Sequence, residues 1–215
     1  MAFLDHKLRS LLIEVKQGNP RALNQLGYLY CYGKDNLLKN EAKAFSYFLQ
    51  AAKLGFVGAQ YNCGLMYARG LGTHQDYRQA ASWYHQAAAQ SHSLAQYNLS
   101  LLYRDGLGVN RNMHVSFDYC LKAAQQGVPH AMNNLGWMLY HGLGTEKNDD
   151  EAFEWFKQAA ENNIPQAMYH LGLCFQYGQG VSKNEEKAYQ FFQIAAEAGL
   201  AIAEHHLTRY YQAES

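Results

Sequence analysis

The amino-acid sequence predicts an all-α fold of the α-solenoid class, built from helix–turn–helix repeats of 36 residues. Three sets of small residues recur at this spacing. The first is a column of single alanines at Ala59, Ala95, Ala131, Ala167 and Ala203, and the second is an Ala-Ala pair that recurs from Ala51-Ala52 to Ala195-Ala196. The third is a glycine column at Gly33, Gly70, Gly106, Gly142 and Gly178, whose first interval is one residue longer than the others. Such a period indicates units that bury their apolar faces only against their neighbours.

The recurring columns divide the chain into a leader at 1–17, five repeats and a final half repeat at 199–215. The repeats span 18–54, 55–90, 91–126, 127–162 and 163–198. The leader places Leu4, Leu8, Leu11, Leu12 and Val15 on one side, which predicts an amphipathic helix that caps the first repeat. The half repeat has Leu207 and Tyr211 on its packing stripe but no second helix, so a homodimer through this end is a hypothesis.

Each repeat has the pattern of two helices joined by a glycine-rich turn. Ala59, Cys63 and Tyr67 are spaced by four residues, which predicts one buried stripe on a first helix. A small residue follows the stripe's centre and would admit a neighbouring helix: Gly27, Gly64, Ser100, Gly136 and Gly172. Before each second helix stands a residue favoured as an N-cap: Asn40, Asp76, Asn112, Asn148 and Asn184. The second helix then carries an aromatic-rich pair, such as Trp83-Tyr84, which becomes Tyr119-Cys120 in the third repeat.

Composition excludes several classes of protein. The 18 basic and 18 acidic side chains cancel, which argues against a dedicated nucleic-acid binder. No apolar run approaches the roughly 18 to 20 residues that cross a bilayer, so no membrane insertion is expected. The charged start of the chain does not resemble a signal peptide, which favours a cytoplasmic location. The zero balance also favours a partner recognised by shape, stacking and amide hydrogen bonds instead of long-range charge.

The motifs of enzymes, metal sites and cofactor sites are not evident. Cys31, Cys63, Cys120 and Cys174 occupy four different repeat positions, which favours reduced thiols over paired ones. The histidines lack zinc-ligand spacing, and the Gly-x-Gly turns lack the strand and the lysine of a phosphate-binding loop. No metal, cofactor or catalytic residue is therefore predicted.

The string Ala-Gln-Tyr-Asn-Leu-x-x-x-Tyr-x-x-Gly-x-Gly-Val at 95–109, followed by an Ala-Ala pair, resembles the Sel1-like repeat, a relative of the tetratricopeptide repeat. The resemblance implies a right-handed solenoid whose first helices line a concave surface. It also implies non-catalytic binding of a partner protein or peptide. Cysteine-rich relatives are thought to clamp their repeats with disulfides and have been labelled β-lactamases, but this chain lacks that cysteine pairing and a Ser-x-x-Lys motif.

The predicted binding face follows from helix geometry, since 100° per residue puts the exposed side two, three, six, nine and ten residues after each column alanine. These positions are rich in Tyr, Trp and Arg, the residue types that most often anchor protein interfaces. The predicted partner-binding residues are Tyr61, Arg69, Tyr97, Asn98, Arg104, Asn134, Trp137, Tyr140, His141, Tyr169, His170 and Tyr177. Tyr and Asn in these columns belong to the repeat consensus, so packing between adjacent repeats is the alternative interpretation of each.

The function predicted from the sequence is a bacterial adaptor or regulatory scaffold that binds a protein or peptide in this groove. Two alternatives remain. An immunity protein that neutralises a toxic effector would bind a single partner very tightly, whereas an adaptor would bind several partners more weakly. A hydrolase of the β-lactamase type is the alternative from the enzyme class.

Overall fold

The computed structural model describes the backbone of residues 6–213 and the side chains of residues 6–208. Twelve α-helices account for the regular structure of that range, and all except the first are 13 residues long. They are α1 (His6–Lys16), α2 (Pro20–Tyr32), α3 (Glu41–Lys53), α4 (Val57–Arg69), α5 (Tyr77–Ala89), α6 (Ser93–Asp105), α7 (Met113–Gln125), α8 (Pro129–His141), α9 (Asp149–Glu161), α10 (Pro165–Tyr177), α11 (Glu185–Glu197) and α12 (Ala201–Ala213). The all-helical, tandem helix–turn–helix fold predicted from the 36-residue period is thereby confirmed.

The helices form two compact units, Met1–Arg111 and Asn112–Ser215, whose boundary lies in the loop after α6. In the first unit, the pairs α2 with α3 and α4 with α5 pack as hairpins, and α3 packs on α4. In the second unit, α8 with α9 and α10 with α11 form the same hairpins, and α9 packs on α10. The column alanines, such as Ala59 and Ala167, have no exposed surface, so the small residues mark where the helices approach most closely.

The predicted N-caps define where the second helices begin. The Asn40 side chain accepts a hydrogen bond from the backbone N–H of Lys43, and Asn184 does the same for Lys187. Asp76, Asn112 and Asn148 accept the equivalent bonds of their helices. Each bond satisfies a helix donor that would otherwise lack a partner, and such a cap contributes about 1 kcal/mol.

The small-residue column of the first helices accommodates an aromatic ring from the second helix of the same repeat. A Cβ added to Gly64 would lie 2.5 Å from the ring of Tyr84. The equivalent pairs are Gly27 with Phe48, Gly136 with Phe156, and Gly172 with Phe192. The predicted close approach is therefore that of a buried ring, and the glycine provides a socket for it.

The two glycines of each turn have different structural roles. The first, such as Gly70 with φ +67°, takes the left-handed conformation that ends a first helix. The second, such as Gly72, lies against the backbone of Glu41 at the start of the preceding repeat's second helix, where a Cβ would overlap it. Asp35 and Asn36, in the first turn, both adopt a positive φ without glycine.

The ends of the array pack onto their neighbouring repeats. Leu8 and Leu11 of α1 are buried in a cluster with Ala22 and Leu26 of α2, while Leu12 and Val15 pack against it. Leu4 lies outside the described residues. At the other end, Leu207 of α12 packs on a cluster that includes Phe192. The side chain of Tyr211 also lies outside the described part, and the homodimer through this end stays a prediction.

All four cysteines are free thiols, and three of them are buried. Burial raises the pKa of both Cys63 and Cys174 to about 12, so both remain protonated core residues at neutral pH. None of the described helices combines the length and the hydropathy of a membrane span.

Candidate protein-binding face

The exposed sides of the first helices are the candidate binding surfaces, one in each unit, and we use the name first-helix face for both. Each consists of the residues six, nine and ten positions after each column alanine. In the first unit its large or charged side chains are Tyr28, Tyr32, Leu65, Arg69, Leu101, Arg104 and Asp105. In the second unit they are Trp137, Tyr140, His141, Leu173, Gln176 and Tyr177.

The positions two and three residues after the alanine instead form polar rungs between neighbouring repeats. Asn62 is only 5% exposed, and its amide donates to Asn24 Oδ1 at 3.0 Å. The hydroxyl of Tyr28 donates to Asn62 Oδ1 at 3.2 Å. Tyr61 and Asn98 hydrogen-bond in the same way one repeat further on. The structure therefore places Tyr61 and Asn98 in contacts between repeats, as the packing interpretation expects, and their role in binding stays a prediction.

In the second unit the same rung positions carry histidines. The His170 ring stacks on Phe156 with centroids 4.7 Å apart, and burial lowers its pKa to about 4. The His206 ring lies 4.5 Å from that of Phe192, and its Nε2 is 3.2 Å from Gln176 Oε1. Tyr169 Oη is 3.5 Å from His206 Nδ1. The predicted site residues Tyr169 and His170 thus pack within the unit, and His170 is neutral at physiological pH.

A group of exposed and half-buried aromatic side chains lies on the first helices of the second unit. The Trp137 ring lies 4.8 Å from that of His141, which is 4.9 Å from the Tyr140 ring. The Tyr140 hydroxyl donates to Gln179 Oε1 of the next repeat. Burial raises the pKa of Tyr140, and the nearby phenol of Tyr177 adds to that rise. We call Trp137, Tyr140, His141 and Tyr177 the aromatic patch, in which Tyr177 is 62% exposed.

The remaining predicted residues differ in their surroundings. Arg69 is exposed at the end of α4. Arg104 makes two hydrogen bonds to the carboxylate of Asp105, at 2.8 and 2.9 Å, so its charge is already paired. Tyr97 and Asn134 are half-buried, and Asn134 Oδ1 accepts a hydrogen bond from Asn133 at 3.5 Å.

Two exposed tyrosines of the first repeat were not predicted. Tyr28 and Tyr32 lie six and ten residues after Ala22, the same offsets that identified Trp137 and His141. They are 40% and 65% exposed. The same helix geometry indicates both tyrosines, because Ala22 lies 37 residues before Ala59 and occupies the column position of the first repeat.

The described side chains do not converge into a metal site, since no group of three His, Cys, Asp or Glu residues among them could hold an ion. His170 contacts the ring of Phe156, and His206 contacts the ring of Phe192. The chemistry that this face provides is that of aromatic stacking, amide hydrogen bonding and a few exposed charges.

These features define a tandem helical-repeat protein with an exposed aromatic face. The Sel1 repeat model matches residues 20–56, 57–92, 93–128, 129–164 and 165–200. Each match begins at the first residue of a first helix, two residues later than the boundaries predicted from the sequence. The chain belongs to the Sel1 repeat family, whose repeats generally mediate protein–protein interactions.

Solved structures show the same fold. A Sel1 repeat protein from Oxalobacter formigenes is 30% identical with a TM-score of 0.83, covering 91% of this chain and 77% of that one. The protective antigen c5321 of uropathogenic Escherichia coli is 29% identical with a TM-score of 0.60; the match covers 93% of this chain and 50% of that one. Immunity protein Pa5087 of Pseudomonas aeruginosa is 22% identical with a TM-score of 0.51, covering 86% and 67%. A search of curated proteins found no match.

Proposed function

We propose that this chain is a non-catalytic scaffold that binds a partner protein or peptide through its first-helix face. The observation that carries the proposal is the aromatic patch of the second unit, where Trp137, His141 and Tyr177 present ring surface from two neighbouring first helices. Tyr and Trp bury large areas with little loss of side-chain entropy, which is why they anchor interfaces. The free thiols favour a reducing compartment such as the cytoplasm.

The polar rungs between neighbouring repeats support the proposal that the outer positions bind the partner. Because the inner positions, such as Asn62 and His170, are already engaged between repeats, they hold the first helices in register. The outer positions six, nine and ten residues after the alanine are then displayed on a rigid frame. A preorganised aromatic surface loses little conformational entropy when a partner binds.

The test is capture of binding partners from the native host by the full chain, with quantification by mass spectrometry. The variant carries Trp137→Ala and Tyr177→Ala, and the matched control is Ile194→Ala, an exposed apolar residue of α11 outside the face. We expect the variant to lose its partners by at least about tenfold, equivalent to 1.4 kcal/mol, while the control retains them. Equal retention by both variants would show that binding does not use this face.

The same experiment separates the two candidate roles. Several partners recovered at micromolar affinity support an adaptor. A single protein bound one-to-one at nanomolar affinity or tighter supports the immunity role instead. A β-lactamase assay on the purified chain tests the enzyme alternative directly, and turnover there would contradict a non-catalytic scaffold.

A further inference from the structure

A second exposed aromatic surface lies in the first unit, at the end of α2. The rings of Tyr28 and Tyr32 are nearly parallel, with centroids 6.3 Å apart and an interplanar angle of 7°. Tyr28 is held by its hydrogen bond to Asn62 and by an edge-on contact with Phe48 at 5.3 Å. Tyr28 is therefore held in place, and the two rings together expose a flat aromatic surface to solvent.

Arg69 lies on α4, the first helix of the next repeat, at the repeat position that Tyr32 occupies on α2, ten residues after the alanine of its repeat. Burial raises the pKa of the Tyr61 phenol, whereas its hydrogen bond with Asn98 and the positive charge of Arg69 lower it. Tyr28 and Tyr32 are also close enough to influence that phenol. In addition, Lys34 Nζ lies 5.7 Å from the centre of the Tyr32 ring. We call Tyr28, Tyr32, Lys34, Tyr61 and Arg69 the tyrosine–arginine patch.

Arg69 is available to a ligand. It is exposed, and among the described residues no carboxylate lies within ion-pair distance of it. Arg104, on the next first helix, differs because Asp105 holds its guanidinium through two hydrogen bonds. An exposed guanidinium beside aromatic rings offers two parallel N–H donors to a carboxylate and a flat surface for its neighbours.

The charge of the chain is unevenly distributed, although its sum is zero. The unit Met1–Arg111 carries twelve Lys and Arg residues against six Asp and Glu, whereas Asn112–Ser215 carries six against twelve. The first unit thus has a formal surplus of positive charge, which attracts anionic ligands and speeds their association. The zero balance of the whole chain therefore conceals a difference in formal charge between its two units.

We propose that the tyrosine–arginine patch binds an acidic segment of a different protein. An Asp or Glu carboxylate of that segment pairs with Arg69, and an adjacent aromatic or aliphatic side chain packs on the rings of Tyr28 and Tyr32. The inference rests on the proposed function, since the patch is part of the first-helix face, and it specifies the chemistry of the partner. We choose an acidic segment as the occupant because its negative charge complements the positive surplus of the first unit.

The probe is a fluorescein-labelled peptide of alternating Asp, Glu and Phe, followed by fluorescence anisotropy with the full chain. The same peptide with Asn and Gln in place of the acids is the ligand control. We expect Arg69→Glu to weaken binding of the acidic peptide by at least about tenfold. Arg78→Glu makes the same charge change at an exposed position of α5, and we expect it to weaken binding no more than about twofold. Circular dichroism checks that both variants fold.

Two results would overturn the inference: equal binding of the amide peptide, or equal losses from Arg69→Glu and Arg78→Glu. Analytical sedimentation of the chain alone tests whether the patch instead binds a second copy of the chain. Dimerisation that Arg69→Glu abolishes would assign the patch to that second copy and would also overturn the inference. The proposed function and this inference can be rejected independently of each other. If peptide binding depends on Arg69 but capture of partners does not depend on Trp137 and Tyr177, the aromatic patch is rejected and the tyrosine–arginine patch is retained. If the Trp137→Ala and Tyr177→Ala variant loses its partners but peptide binding does not depend on Arg69, the aromatic patch is retained and the tyrosine–arginine patch is rejected.

Discussion

The backbone of Gly64 lies so close to Tyr84 that a Cβ there would be 2.5 Å from two carbon atoms of the phenol ring. The ring is buried, and burial raises the pKa of Tyr84 well above its usual range. Because the ring is almost completely buried in a close-packed interior, it has little room to move away. The small residue is therefore required by a partner on the second helix of its own repeat.

We predict that Gly64→Ala destabilises the chain by about 1 to 3 kcal/mol, because overpacking outweighs the gain in helix propensity. Chemical denaturation of the full chain measures the change. The third repeat has Ser100 at the glycine position and the smaller Cys120 at the ring position. The double variant Gly64→Ser with Tyr84→Cys should accordingly be more stable than the sum of its single changes. Strict additivity would show that these two positions do not interact.

Two buried asparagines predict opposite effects of the same substitution. Asn62 is fully engaged, since it donates to Asn24 and accepts from Tyr28. Asn133, 8% exposed, has an Oδ1 that is buried without a hydrogen-bond partner among the described residues. We predict that Asn62→Leu destabilises by about 1 to 3 kcal/mol, because it removes two hydrogen bonds that each contribute about 0.5 to 1.5 kcal/mol. Asn133→Leu should be neutral or stabilising, because it removes an unpaired buried acceptor and loses only one long hydrogen bond, from Asn133 to Asn134 at 3.5 Å.

Thermal unfolding of the two variants beside the parent chain measures this difference. Each variant serves as the control of the other, since both replace a buried amide by the same apolar side chain. A loss at Asn133 as large as that at Asn62 would contradict the assignment of unequal hydrogen bonding.

The sequence predicted the helices and their ends because each depends on local chemistry repeated five times. Asn40 and Gly33 are examples, since a cap and a left-handed turn need only the residue itself and a few neighbours. The group that packs against Gly64 was harder to predict from the sequence, because a glycine indicates that another group approaches closely but does not show which group it is. Only the packing of the two helices shows that this group is a ring.

The binding face was predicted in part for a similar reason. Helix geometry identified the outward side of each first helix, which includes Trp137 and Tyr177. It could not distinguish side chains that face solvent from those, such as Asn98 and His170, that contact the preceding repeat. That distinction depends on the distance between adjacent helices. The surplus of basic residues in the first unit was visible in the sequence but required separate counts for the two halves.

His170 predicts a loss of stability in acid. Burial lowers its pKa to about 4 in the folded state, against 6.5 for the unfolded chain. As the pH falls from about 6.5 toward 4, the unfolded state binds a proton that the folded state does not, so stability declines. The full effect is roughly 3 kcal/mol, at 1.36 kcal/mol per pKa unit, and it is absent above the unfolded pKa.

The variant His170→Asn isolates this contribution, because Asn98 and Asn134 occupy the same repeat position. Burial also lowers the pKa of His85 and His92, so the parent chain has other acid-sensitive groups. We expect denaturation at pH 7 and pH 4.5 to show a smaller loss in the variant than in the parent. The same loss in both would mean that His170 titrates normally in the folded chain.

Substitution of the second glycine of a turn is expected to destabilise the fold by more than the cost of backbone strain alone. Gly55 and Gly72 both have a positive φ, of +85° and +66°. A Cβ at Gly55 would meet nothing within 4 Å, whereas a Cβ at Gly72 would overlap the backbone of Glu41. Gly55→Ala should therefore cost about 1 to 2 kcal/mol, the ordinary penalty of a left-handed residue with a side chain. We predict that Gly72→Ala costs at least about 1 kcal/mol more, because the turn must move away from α3. Urea denaturation of the two variants measures the difference, and equal costs would show that this turn does not bear on the preceding repeat.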